Sequence, residues 1–445
     1  MQDCYGNSVS TRSDAAMRHY DGACELIRLY RGDPIAALDA ALAEDPDFTL
    51  GWAVRAGLLA QQMDKAYAEE AERSLRAGEA SAARGTDWER AHLAAARDWA
   101  EGRFAQAVFG YARIAQQNPR DLIALQSAHV GCFYLGMQSE LRDWPLQGLR
   151  AFSRDDAGYH AILGMAAFGL EECGDFAKAE AMGREAQAME PRDGWAVHAV
   201  AHVNEMRGDA ANGIDWLTRT ANGWAPESGF AYHNWWHLAL LHLDRGEIAD
   251  VLKLYDEKVR PARNSILLEC TDASALLWRL HLEGVDVSER FQPLAEDWAH
   301  TIEDGHYAFN DLHALMALLG AGRSEDVKAL IAQLKRTASG DGDNAYMTRA
   351  VGLPLAEAFA AFDAGRHAEA FEKIIFVRGI AQRFGGSHAQ RDILTLTALH
   401  AALRAGMKPA AEALAAERLA HKPQSPWARG LAERVAKLSA ARAAA

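Results

Sequence analysis

An all-α fold of repeated helical hairpins is what this 445-residue chain predicts, on three observations. Helix-period apolar patterns cover nearly all of it, with few β-branched runs. The patterns break at short turns that carry glycine: Gly32-Asp33, Gly102-Arg103, Gly136-Met137, Gly174-Asp175, Gly208-Asp209, Gly246-Glu247, Gly284-Val285, Gly322-Arg323, Gly365-Arg366 and Gly406-Met407. Those turns recur, with spacings from Gly102 onward of 34, 38, 34, 38, 38, 38, 43 and 41 residues.

A period near 34 with helix–turn–helix texture is the signature of a tetratricopeptide-like α-solenoid. Each turn glycine is expected to end helix A of a pair in a left-handed cap, after which helix B begins. Asp45-Pro46, Asn118-Pro119 and Glu190-Pro191 mark ends of B helices, since the residue before proline disfavours helix. Ala36-Ala37 and Ala105 to Ala107 follow turns, where paired helices are expected to pack closely. Thr49 to Gly85 is less regular and is expected to hold longer helices, and residues 138–157 read as helix B of one unit. No Pro/Gly/Ser-rich linker divides the chain. It is therefore read as one tetratricopeptide-like domain, 1–445, with 1–18 and 438–445 as flexible ends. The expected architecture is a right-handed superhelix of about ten units, with the A helices on its inner surface, curled around a central pocket.

Composition limits the function classes. Hydrophobic residues make up 49% and charged residues 24%, as in ordinary folded chains. A net charge of −14 argues against a general nucleic-acid or anionic-membrane surface, which needs clustered Lys and Arg. Five scattered cysteines, without Cys-x-x-Cys spacing, read as reduced thiols and a cytoplasmic location. Neither a secretory signal nor a membrane span is visible.

The chemistry concentrates on the expected A helices. His198 and His202, and His233 and His237, are pairs four residues apart, a spacing that puts each pair on one helical face. Counted back from each turn glycine, His198 and His202 lie at 10 and 6, His233 and His237 at 13 and 9, and Asp272 at 12. Asn310 and His313 lie at 12 and 9, and Arg391, Asp392 and His400 at 15, 14 and 6. These offsets share one helical stripe, so the polar groups of five units are expected to converge, with Trp195, Trp235, Trp236, Tyr307 and Phe309 as aromatic walls. Against this stands the plainer reading, in which each histidine is a satisfied core residue and the tryptophans only pack. A dense polar stripe in an Ala/Leu solenoid still needs a reason, because buried polar groups cost free energy unless paired. His242, His281 and His367 sit near turns and carry no expectation.

Histidine pairs at this spacing suit zinc, iron or nickel. No His-Glu-x-x-His is present, and the nearby carboxylates are Glu205 and Asp272, so neither a metal nor a cofactor is expected. Histidine beside Asp, with Arg to hold an anion, is a kit for general acid–base work. No Gly-x-Ser-x-Gly elbow, P-loop or dinucleotide fingerprint appears. Gly385-Gly386-Ser387-His388 opens a helix that Ser387 is expected to cap.

The segments Arg31-Gly-Asp-Pro-Ile-Ala-Ala-Leu, Trp195-Ala-Val-His-Ala-Val-Ala-His, His233-Asn-Trp-Trp-His, Phe309-Asn-Asp-Leu-His-Ala and Gly385-Gly-Ser-His-Ala-Gln-Arg-Asp occur in order over nearly the whole chain. In them the chain resembles the tetratricopeptide repeat protein 38 family. The resemblance implies a helical-repeat fold and carries no activity with it.

The expected function is binding of a small organic ligand or a short peptide end. Its contacts would be His198, His233, Trp235, Trp236, Asn310, His313, Arg391 and Asp392, together with His202, His237 and Asp272. The alternative is an enzyme in which His202 or His237 is general base, Asp272 or Asp392 orients it, and Arg391 holds an anionic group. A third reading is a scaffold for protein partners. Neither nucleic acid nor membrane is expected as a partner.

Overall fold

In the computed structural model the backbone is described for residues 1–443 and the side chains for 1–437; the expected flexible end at 438–445 lies outside the residues described in full. The chain groups into two compact units, Met1–Val200 with Thr220–Ala231, and Ala201–Arg219 with Tyr232–Ala445. The first contains α1 (Asp14–Leu29), α2 (Pro34–Glu44), α3 (Thr49–Ala60), α4 (Ala68–Ser81), α5 (Asp87–Ala100), α6 (Phe104–Gln117), α7 (Leu122–Leu135), α8 (Gln138–Gly148), α9 (Tyr159–Glu172) and α10 (Phe176–Met189). The division falls within α11 (Gly194–Arg207) and α12 (Ala210–Trp224). The second contains α13 (Ala231–Asp244), α14 (Ile248–Leu254), α15 (Leu267–Leu282), α16 (Ser288–Trp298), α17 (Ala308–Gly320) and α18 (Ser324–Ala338). It continues with α19 (Asp343–Met347), α20 (Leu353–Asp363), α21 (His367–Arg378), α22 (His388–Arg404), α23 (Lys408–His421) and α24 (Pro426–Ala443). The fold is all-α and repeats the A–B hairpin throughout.

All ten turn glycines hold a left-handed φ, from 57° at Gly32 to 82° at Gly174. A Cβ disfavours that region, which is why glycine recurs there. One hairpin turns without it: Met63 takes φ 52° between α3 and α4. That substitution hid a unit from the glycine count. The stretch expected to hold longer helices instead folds as α3 and α4, of 12 and 14 residues. Asp45, Asn118 and Glu190 cap the ends of α2, α6 and α10, each before its proline. Of the small residues after turns, Ala107 is fully buried, whereas Ala36 is exposed.

Residues 1–18, expected as a flexible end, are instead packed into the first unit. Tyr5 and Val9 are buried, and the Arg120 guanidinium donates to the Tyr5 carbonyl at 2.7 Å. In the second unit the core is built on Trp236, Trp278 and Trp298, all fully buried. Two indoles also satisfy their N–H groups, Trp278 on Thr397 Oγ1 at 3.1 Å and Trp298 on Ser274 Oγ at 2.9 Å. Burying one indole removes about 150–250 Å² from water, roughly 4–6 kcal/mol at about 25 cal/mol per Å².

Candidate functional site

Three A-helix segments of the second unit supply the polar centre. His202 and Glu205 stand three apart on α11, His233, Trp236 and His237 span one turn of α13, and Asp272 and Arg279 lie seven apart on α15. Each set shares one helical face. All seven are buried.

Two of the imidazoles are held by carboxylates. His233 Nδ1 lies 2.6 Å from Asp272 Oδ2, and His237 Nδ1 lies 2.9 Å from Glu205 Oε2. A neutral ring that donates from Nδ1 keeps its lone pair on Nε2. The rings pack together: His202 and His237 have centroids 4.5 Å apart, His233 and His237 4.9 Å, and His233 stacks on Trp236 at 5.2 Å. Arg279 covers Trp236 at 5.5 Å and donates to the carbonyls of Ala275 and Ala389 at 3.0 and 2.7 Å. Burial, followed by the charges of His202, His233, Arg279 and Lys422, pushes the His237 pKa well below its usual value. His237 is therefore neutral at pH 7. A ligating nitrogen from each of His202, His233 and His237 lies within 4.8 Å of the others.

A charged chain continues from this centre. Lys422 Nζ lies 3.7 Å from Glu205 Oε1 and 3.9 Å from Asp392 Oδ2, and Arg418 Nη1 donates to Asp392 Oδ1 at 2.6 Å. Burial raises the Asp392 pKa, but Arg418 and Lys422 outweigh it and hold the carboxyl far below the usual range. A cavity of about 20 Å³ borders Glu205, Arg279, Asp392 and Lys422. That is room for a water molecule or an ion. A second cavity, of about 300 Å³, borders Leu243, Glu283, Val285 and Pro426, and Asp244 and Trp427 border both.

The other expected site residues have the following partners. Trp235 is half-buried and carries Lys258 over its ring at 5.5 Å, whereas Trp236 is fully buried and stacks on His233. Arg391 donates to the Gly386 carbonyl and is not a free anion holder. Asp392 pairs with Arg418 rather than orienting a histidine, and Asp272 orients His233 rather than His202 or His237. His313 gives Nδ1 to the Phe309 carbonyl at 2.7 Å, and burial pushes its pKa down to about 4. Asn310 is buried on the same helix. His198 belongs to the first unit, where it packs among Phe168, Trp195 and Phe230 at 5.2, 5.0 and 5.2 Å. Tyr307 and Phe309 lie 6.0 Å apart around α17. His400, with Trp427 and Arg434, converges on Glu283 Oε1 at 3.1, 2.9 and 2.8 Å, a separate cluster.

Histidine–carboxylate pairs are also a structural device of this fold. In the first unit His92 Nε2 meets Asp121 Oδ2 at 2.6 Å and His160 Nδ1 meets Asp193 Oδ2 at 2.7 Å. Both aspartates start a helix, accepting from Ala124 N at 2.8 Å and Ala196 N at 2.9 Å. Capping accounts for them. Asp272 and Glu205 lie inside α15 and α11 and cap nothing, so that account does not reach them.

Sequence reasoning missed Arg279, Arg418 and Lys422. Arg279 had a signal, since it follows Asp272 by two turns on one face. Arg418, on the B helix α23, and Lys422, just after it, had none.

No family model matches the chain. Among solved structures it is similar to one titled "Crystal structure of APC/C hetero-tetramer Cut9-Hcn1", at 13% identity and a TM-score of 0.43, over 96% of this chain and 78% of that one. It is similar to yeast Tom70 at 11% identity and 0.40, over 92% and 93%, and to a human IFIT1 dimer with PPP-AAAA at 13% and 0.38, over 96% and 92%. None of these likenesses bears on activity or partner. Among the described residues no helix is long and apolar enough to cross a membrane, and all five cysteines are free thiols.

Proposed function

We propose that this helical-repeat chain, akin to the tetratricopeptide repeat protein 38 family, binds a small polar organic ligand in its second unit. The supporting observation is the pair of buried histidine–carboxylate contacts, His233–Asp272 and His237–Glu205, whose carboxylates cap no helix. The size of the two cavities supports a division of the ligand between them. A ligand body needs about 300 Å³ or more, which the outer cavity supplies. The inner one takes only a terminal polar group or its water, between Arg279, Lys422 and Glu205. Native mass spectrometry of the purified chain tests this. A bound metabolite that is retained by the wild type and lost in Lys422→Ala and Trp427→Ala supports it. No bound species, and no metabolite of a broad panel that shifts the melting temperature, sinks it.

A second reading, catalysis, is favoured by the neutral state of His237 beside Glu205. His237 would then accept a proton from a substrate group and Glu205 would stabilise the resulting imidazolium. His237→Gln that keeps ligand but loses turnover supports it, whereas unchanged turnover excludes it.

A further inference from the structure

We infer that His202, His233 and His237 form a binding site for one divalent transition-metal ion of the zinc class. This deepens the proposed ligand site, since it rests on the same network being the working centre of the second unit.

The geometry carries the inference. One nitrogen of each ring lies within 4.8 Å of the others. A tetrahedral zinc ion bonds nitrogen at about 2.0–2.1 Å, which puts its ligands about 3.4 Å apart. Small ring rotations close that difference.

The groups behind the rings are those a metal site requires. Ligating histidines hand their other N–H to a carboxylate, which fixes the tautomer and raises the basicity of the ligating nitrogen. Asp272 and Glu205 do this for His233 and His237, from Nδ1 in both cases. The two rings lie 4.9 Å apart, with His202 4.5 Å from His237. The two carboxylates set negative charge behind the rings, facing the cations Arg279 and Lys422, the latter 3.7 Å from the far oxygen of Glu205 and 3.9 Å from Asp392. The missing His-Glu-x-x-His motif therefore argues only against one way of building such a site. Here the ligands come from two helices and the carboxylates from a different helix in each case.

The test uses the full chain. Protein stripped with a chelator is titrated with Zn²⁺ and Co²⁺, with circular dichroism to confirm that each variant is folded. The expected result is one ion per chain and the visible absorption of tetrahedral Co²⁺. His202→Gln and His237→Gln remove it, and Asp272→Asn weakens binding about 10–100-fold. His242→Gln, at the half-exposed His242–Glu247 pair, leaves it unchanged. A folded wild type that binds no ion, or binding lost in His242→Gln rather than His237→Gln, overturns the inference. The two proposals fail separately. A metabolite retained by a protein that binds no ion preserves the ligand site and removes the metal, while stoichiometric Zn²⁺ with no metabolite does the reverse.

Discussion

Asp311 and His313, neighbours on α17, hold charge-sensitive groups in an interior that favours their neutral forms. Burial raises the Asp311 pKa to about 8, and its Oδ2 has no hydrogen-bond partner. Between the ordinary aspartate value and about 8 the folded chain binds the extra proton, so this group withdraws stability as pH rises. His313 works the other way. Its folded pKa of about 4 lies below the ordinary 6.5, so the unfolded chain binds the proton first. Its contribution is intact above about pH 6.5 and declines as pH falls toward 4, at about 1.4 kcal/mol per pH unit. Urea midpoints across pH 5 to 8 check both. Asp311→Asn should gain on the wild type as pH rises, and His313→Gln should gain as pH falls. A pH-independent difference would contradict either assignment. Within the network, Glu205→Gln should cost about 1–3 kcal/mol, because Lys422 and His237 each lose a buried charged partner. A change under about 0.5 kcal/mol, the scatter of surface substitutions, would show the contacts to be incidental.

The helical hairpin α9–α10 shows how differently two glycines of one element behave. Gly174, in the turn, has φ 82° and open space where a Cβ would be. Gly174→Ala should cost about 1 kcal/mol, the penalty of a side chain in the left-handed region. Gly169, inside α9, faces the backbone of α8, and its Cβ would lie 2.3 Å from the Leu141 carbonyl oxygen. Gly169→Ala should be the worse of the two, since backbone cannot move aside as a flexible side chain does, and thermal melts of the pair give the order directly. The turn glycine is legible in sequence because its requirement is local: one residue, one φ. The packing glycine is not, because its requirement belongs to another helix. The same distinction explains α3 and α4, whose turn at Met63 satisfies the geometry without the usual residue.

At the scale of the molecule, two compact units each enclose a core of their own. Repeats that contact mainly their neighbours unfold with limited cooperativity. Calorimetry should therefore give an unfolding enthalpy larger than the van't Hoff value, and equal values would show that the units melt as one. The period of the turns, the all-α content and the stripe of polar A-helix positions follow from sequence, because helix periodicity and left-handed glycines are properties of short segments. Which imidazole meets which acid does not follow. His237 and Glu205 are separated by 32 residues, His233 and Asp272 by 39. Lys422 reaches Glu205 from a helix end near the far side of the sequence. The stripe placed His313, Arg391 and Asp392 in register with the histidines, and that register is a property of each helix. The partner of each side chain was decided by how the helices pack, since a charge buried in a low-dielectric interior is stabilised by whichever opposite charge the packing brings within a few ångströms.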